Sequence, residues 1–312
     1  MAAAAPTLAK TEKIWMNGDF VAWDDAKVHI LTHTLHYGLG VFEGIRFYRR
    51  ADGRRAVFRL DEHIDRLFRS ATMATIHIPM TESDLCRAVV ETAKNSGLTD
   101  GYIRPVAYVS SGAMGLFAIS NPIHVAIAAY GWGAYLGEDG LKRGIRARVS
   151  SYCRLHVNSA FSKGKICGNY VNSVLAKREA MASGYDEAIL LDTNGYVAEA
   201  SGENIFIIDG KRLVTPPLTQ PILPGITRDT VLQLAKDLGI ETEERLLMRS
   251  ELYTAGELFL TGTAAEITPV REVDDRKIGS GEPGEFTKKL QSSFFEHVRG
   301  KETRHPGWLT FF

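Results

Sequence analysis

The sequence predicts an α+β protein in two halves, and three observations predict it. Short apolar or alternating stretches recur along the chain, segments of helical period fall between them, and a glycine-rich passage interrupts both patterns near the middle. That passage, "GWGAYLGEDGLKRG" at 131–144, holds five glycines. It sets the expected division: a small α+β domain over 1–133, an interdomain connection over 134–143, and a larger, strand-richer domain over 144–312.

In the first half "KVHIL" alternates and reads as a strand, as do the apolar "YIRPVAYVS" and "PIHVAIAAY". "DEHIDRLFRSATMATI" spaces Ile64, Leu67, Phe68 and Ala71 at helical intervals behind an acidic first turn, and "ESDLCRAVVETAKNSG" does the same with a glycine stop. In the second half "GNYVNSVLAKREAMASG" is a helix closed by Gly184. "EAILLDTNGYVAEAS" is a hairpin whose Asn-Gly suits a type I′ turn. "NIFIID" and "RLVTP" continue the sheet, "LPGITRDTVLQLAKDLGI" is a helix opening around Gly225 and stopping at Gly239, and "ELFLTG" is a buried strand running into "TAAE".

Composition narrows the function. With 312 residues, 45% of them apolar, the chain can bury a sizeable core. Lysine plus arginine and aspartate plus glutamate balance at 37 each, so no overall field draws the chain to nucleic acid or an anionic membrane, and small-molecule partners are expected. No stretch approaches the roughly 18 apolar residues of a membrane span, and "MAAAAPTLAK" lacks the basic start and apolar run of a signal peptide. It reads as the frayed tail of a cytoplasmic protein. Cys86, Cys153 and Cys167 are too few and too scattered for a disulfide framework or a metal site.

Several residues could carry chemistry. The turns "PGIT" and "GTAAE" offer free N–H groups beside the hydroxyls of Thr227 and Thr263, which suits an anion, although ordinary capping explains each alone. Arg66 falls on the polar side of its helix and reads as a solvated arginine; Glu199 and Glu203, on or just after a strand, read as solvated carboxylates. Lys165, ahead of Gly168 and Tyr170 at the mouth of a helix, is placed for a half-desolvated amine fit for Schiff-base chemistry. Lys163 precedes it by two residues, and spacing alone does not choose between them.

Eight fragments in order, "THTLHYGLGVFEGIR", "EHIDRL", "YIRP", "WGAYL", "KICGNY", "NGYVAEASGENIF", "LPGITRD" and "TGTAAEITPVREVD", resemble bacterial branched-chain amino acid aminotransferases, class IV pyridoxal phosphate enzymes of fold type IV. The resemblance runs from about Trp15 to Trp308. It implies two domains with the cofactor at their interface. Lys165 matches the Schiff-base lysine, and Lys163 matches nothing catalytic, so for Lys163 a solvated loop lysine is expected. Glu199 matches the carboxylate that pairs with the pyridine nitrogen, Tyr170 the partner of the phenolic oxygen, and Arg66 the phosphate-binding arginine, joined by the Ile226 and Thr227 amides and Thr263. Tyr102 with the backbone of Thr263 and Ala264 matches the α-carboxylate site. Phe42, Trp132, Tyr135, Tyr170 and Tyr37, the last from a partner subunit, resemble the aromatic wall; Gly44 matches the small residue beside it, and Met114 and Leu116 an interdimer loop. Arg104 matches the reader of the distal carboxylate of glutamate.

The implied reaction is a reversible ping-pong transfer of the amino group between L-leucine, L-isoleucine or L-valine and 2-oxoglutarate. The implied assembly is a homodimer or a hexamer built as a trimer of dimers. Ile166 and Cys167 before "GNY", and Gln220-Pro221-Ile222 before "LPG", depart from the family pattern near the site and bear on substrate preference. A D-amino acid or (R)-amine transaminase of the same fold is the alternative reading. In a different class, Cys167 and His156 read as nucleophile and base of an acyl-transfer enzyme, with no third partner to assign.

Overall fold

Along the strand Gly101–Val109 the side chains divide by parity, as a pleated strand requires. Ile103, Ala107 and Val109 enter an apolar core with Val125, Ile127 and Ala129 of the neighbouring strand Ile123–Tyr130. Tyr102 and Arg104 therefore share the opposite face, with Tyr130 across from Tyr102. Among the residues described by the structure, a computed structural model covering 8–133, 135–302 and 304–312, this strand lies in an eight-stranded sheet. The order runs Leu309–Phe311, Arg55–Phe58, Ile45–Arg49, Gly101–Val109, Ile123–Tyr130, Lys13–Met16, Asp19–Ala22, with Gly40–Phe42 also paired to Gly101–Val109. Helices Leu60–Met73 and Glu82–Asn95 close the core, contributing Ile64, Leu67, Ala71, Leu85 and Val89.

The second sheet has nine strands among the described residues and is mixed. Ile145–Val149 runs parallel to Glu187–Leu191 on one side and to Glu266–Val273 on the other, while Glu257–Gly262 pairs antiparallel with Asn204–Asp209 and with Glu266–Val273. The helix Ile226–Asp237 is the crossover between the parallel strands Arg212–Thr215 and Thr242–Glu244. Ile145, Val149, Ile189, Val197, Ile205, Leu258 and Leu260 fill its core.

Backbone contacts group the chain into two compact units that redraw the expected boundaries. Among the described residues, one takes 8–132, then Gly164–Tyr170 and His297–Phe312; the other takes Gly133–Lys163 and Val171–Glu296. Lys165, expected on the larger domain, joins the first unit because Ile166 bridges Val41 and the Phe42 N–H donates to Lys165 O at 3.1 Å. The C-terminus joins it because Leu309–Phe311 pairs with Arg55–Phe58.

Three local expectations need correction. "KVHIL" is a loop: Val28, Ile30 and Leu31 are exposed, and its hydrogen bonds are local, such as Thr32 N to His29 O at 2.8 Å. Alternation without a partner strand does not make a strand. The expected connection contains a helix, Glu138–Arg143, and its Ala134 lies outside the described residues, as do residues 1–7 of the expected tail. The hairpin after Glu187–Leu191 is not a type I′ turn, since Gly195 alone of its Asn-Gly pair has positive φ, at 89°. Asp192 sets the turn instead, its Oδ1 accepting from the N–H groups of Asn194 at 2.9 Å and Tyr196 at 2.8 Å.

Candidate active site

In the first unit Lys165 leaves a short extended segment, followed by one 3-10 turn, Cys167–Asn169, and the helix Tyr170–Ala182. That turn brings Tyr170 back onto Lys165, whose Nζ donates to Tyr170 Oη at 2.6 Å. The rings of Phe42 and Tyr170 lie 4.9 Å from the same nitrogen and meet each other edge-on at 4.8 Å. The backbone is pinned too, with Lys165 N–H donating to Ser70 Oγ at 2.9 Å. The amine is thus half-buried between aromatic faces beside one phenol, as a reactive lysine needs.

Arg66 overturns its expectation. Instead of facing solvent it is buried, and its helix places His63, Arg66 and Ser70 on one face at i, i+3 and i+7. Its partner is Glu43, fully buried, which accepts from Arg66 Nε at 2.7 Å and from a terminal nitrogen at 2.9 Å. His63 Nδ1 lies 2.7 Å from Glu43 Oε2, and the Gly44 N–H donates to the same oxygen at 3.2 Å. Burial alone would raise the Glu43 pKa, but Arg66 and His63 outweigh it and hold the carboxyl well below the usual range. Burial lowers the His63 pKa despite the Glu43 charge, so a neutral ring donates from Nδ1 to the acceptor-only carboxylate. Sequence reasoning missed Glu43. The available signal was a carboxylate inside the apolar run "GVFEGI", which needs a cationic partner when buried.

Tyr102, Arg104 and Trp132 form the aromatic face of this unit. Trp132 meets Tyr102 edge-on at 4.7 Å, and the Arg104 guanidinium stands 4.9 Å over Phe42 and 5.4 Å over Tyr102. Arg104 Nε is buried with no hydrogen-bond partner among the described residues. Gly44 must be glycine here, because a Cβ would lie 1.8 Å from Tyr102 Oη. Tyr37, Met114 and Leu116 are exposed on the single chain, Leu116 at 91%. Cys167 is a poor nucleophile: burial pushes its thiol up, while His156 is exposed.

In the second unit Glu199 lies near the end of the strand Val197–Ala200 and is buried, not solvated. Its Oε1 lies 3.0 Å from Arg154 Nε; its Oε2 accepts from Asn204 Nδ2 and from the Leu223 N–H, both at 3.1 Å. Arg154 is itself braced by Asn172, Ser173 and the carbonyls of Ala200 and Ser201. Arg154 and Asn204 had no role in the sequence reading, and neither spacing nor residue type marked them. Lys163 also departs from expectation: half-buried, it donates to Gln220 O at 2.7 Å and Ile222 O at 3.1 Å. The unusual Gln220-Pro221-Ile222 stretch is therefore the one Lys163 grips.

Glu203, expected to resemble Glu199, feels the Lys177 and Arg154 charges too weakly to offset its surroundings. Burial, then the nearby Glu187 charge, push it up to about 8. Ile226 and Thr227 open the helix Ile226–Asp237 behind Gly225, which brings no capping side chain, and a Cβ there would lie 2.0 Å from Asn204 Oδ1. Thr263 and Ala264 form the turn between Glu257–Gly262 and Glu266–Val273. The Tyr135 ring, also in this unit, stands 5.4 Å from Lys177 Nζ, which pairs with Glu187.

The family model for amino-transferase class IV matches residues 40–273. A branched-chain-amino-acid aminotransferase of Pseudomonas aeruginosa is 49% identical over 297 residues, covering 95% of this chain and 96% of that one. The crystal structure of the Escherichia coli branched-chain amino acid aminotransferase superposes with a TM-score of 0.93 at 45% identity, over 96% of this chain and 99% of its own. The T.th. branched-chain amino acid aminotransferase, solved with pyridoxamine 5'-phosphate, gives the same TM-score and identity over 97% and 99%. With its motifs, its fold and nearly its whole length shared with these proteins, the chain belongs to the class IV aminotransferase family.

Proposed function

We propose that the chain is a branched-chain amino acid aminotransferase using pyridoxal 5'-phosphate, moving the amino group reversibly between L-leucine, L-isoleucine or L-valine and 2-oxoglutarate. The observation that carries it is Lys165: an amine between two aromatic rings, 2.6 Å from a tyrosine hydroxyl, in a chain of this family. The residues present fit the cofactor. Arg66, buried and aligned by Glu43, is a fixed cation for its phosphate, and the Ile226 and Thr227 amides with Thr263 are the neutral phosphate donors that the resemblance implies. Glu199, held by the Asn204 amide and the Leu223 N–H and facing the Arg154 guanidinium, is the acceptor for the ring nitrogen, and Tyr170 partners the ring oxygen.

When bound, the cofactor supplies an aldehyde that takes the amino group and a ring that accepts electrons from the α-carbon. Lys165 Nζ takes the α-proton and returns it on the cofactor side, and the Tyr170 hydroxyl keeps that nitrogen in place. Phe42, Tyr102 and Trp132 exclude water and face an aliphatic side chain, while the Arg104 guanidinium with its unpartnered Nε pairs with the distal carboxylate of glutamate.

A homodimer as the minimal unit is part of the proposal. It is supported by the exposed apolar Leu116, Phe117 and Ile119, and by Val171, Val174 and Leu175 on the outside of the helix Tyr170–Ala182. No helix among the described residues is long and apolar enough to cross a membrane. A cytoplasmic location is part of the proposal, and the three free cysteines suit a reducing compartment. The test is direct. Borohydride reduction of the cofactor-loaded protein, then peptide mapping, should label Lys165 and leave Lys163 bare. Lys165→Ala should lower leucine turnover by at least about 10⁴-fold, since attachment and proton transfer go together. Label on Lys163, or an active Lys165→Ala enzyme, defeats the reading.

A further inference from the structure

Lys163 and Glu199 are joined through one peptide group. The Lys163 ammonium donates to the Ile222 carbonyl at 3.1 Å, and the N–H at the other end of that peptide, on Leu223, donates to Glu199 Oε2 at 3.1 Å. A peptide group is planar and delocalised, so a cation on its oxygen draws electron density and makes its N–H a stronger donor, by about 10–30% per linked bond. Asn204 fixes the same arrangement from the side, donating to Leu223 O at 2.9 Å and to Glu199 Oε2 at 3.1 Å.

The segment needs an outside anchor. Pro216, Pro217, Pro221 and Pro224 have no N–H to donate, which leaves this stretch few ways to hold its own shape. Lys163 reaches it across 57 residues of chain and satisfies two of its carbonyls with one cationic group that offers three donors. The ammonium also feels the site: burial pushes its pKa down, the Glu199 charge pulls it up, and Arg228 opposes.

We propose that Lys163 is a positioning residue for Glu199: by clamping the Ile222 carbonyl it orients and strengthens the Leu223 N–H that holds the Glu199 carboxylate. The proposal rests on the reading of Glu199 as partner of the pyridine nitrogen. Its test uses the enzyme loaded with pyridoxal phosphate labelled with ¹⁵N at that nitrogen, whose NMR shift reports ring protonation. In Lys163→Met the shift should move part of the way toward neutral pyridine. Leucine turnover should fall about 10-fold with KM changed less than about 2-fold, the scale of a group acting through another. Lys163→Arg, which keeps the cation, should restore most of both.

A neutral ring nitrogen in the unsubstituted enzyme would remove the reading of Glu199 and this proposal with it. A protonated one, with Lys163→Met keeping the normal shift and turnover or only melting lower, would overturn this proposal alone. Should Lys163→Met not hold cofactor, Lys163→Arg must match the unsubstituted shift and Lys163→Gln must depart from it; equal shifts in the two overturn the idea.

Discussion

In the unit built on Gly101–Val109, Glu43 gives both carboxylate oxygens to Arg66; in the other, Glu199 offers Arg154 one oxygen and keeps the second for the neutral donors Asn204 and Leu223. Each is a buried glutamate beside an arginine, but the pairs point opposite ways. Glu43 is saturated by a guanidinium, an imidazole and an N–H, so it can only serve Arg66. Arg154 is braced at its terminal nitrogens by Asn172, Ser173 and the carbonyls of Ala200 and Ser201, which turns its Nε toward Glu199 Oε1 at 3.0 Å. In both pairs a buried charge is compensated by a partner far along the chain, and in each pair one member is braced by the groups around it: Glu43 in the first, Arg154 in the second.

The comparison breaks most clearly on its two glutamates. Glu43→Gln strips the charge partner from a buried guanidinium and should cost about 3–5 kcal/mol of stability, read by urea unfolding, with turnover at saturating cofactor little changed. Glu199→Gln should do the reverse, leaving unfolding near normal and cofactor retained while turnover drops about 10²–10³·⁵-fold, equivalent to roughly 3–5 kcal/mol in the transition state. If Glu43→Gln lost rate and kept stability, the assignment of support and working group would be inverted.

Arg104 extends the comparison to an arginine that faces aromatic rings, 4.9 Å over Phe42 and 5.4 Å over Tyr102. Arg104→Leu should weaken the glutamate half-reaction by about 2–5 kcal/mol, with far less effect on leucine. Single-turnover absorbance with each amino acid separates the two, and equal losses would place Arg104 with the supports.

Glu203 gives the smallest effect and sharpens the contrast with Glu199, four residues earlier. Its folded pKa is raised to about 8 from an ordinary value of 4.5, by burial and then Glu187. Its contribution is therefore fully present below about pH 4.5, fades as pH rises toward about 8, and stays lost above. The loss is at most about 1.4 kcal/mol for each tenfold gain in proton affinity on folding. Glu203→Gln should flatten the fall of melting temperature between those pH values; an unchanged slope would mean that the folded protein does not hold a proton on Glu203.

Much of this was legible in the chain. The periods of "DEHIDRLFRSATMATI" and "YIRPVAYVS" give the helix Leu60–Met73 and the strand Gly101–Val109, because burial of one helical or pleated face is written in the spacing itself. "KVHIL" has the same local signal and no partner strand, and so remained a loop. Short motifs around Lys165, Tyr170 and Glu199 carried the family resemblance, since the reaction demands particular groups at particular steps of the chain.

By itself, then, the sequence determined the α+β class and the family, which are local in pattern or motif, and pointed to Lys165 as the lysine to test. Only the tertiary structure decided that Arg66 turns inward to Glu43, that Arg154 and Asn204 hold Glu199, and that Lys163 grips a segment 57 residues away. Each of those is a buried charge or polar group compensated by a partner distant in sequence. Desolvation makes such a partner obligatory, but folding alone determines which residue supplies it.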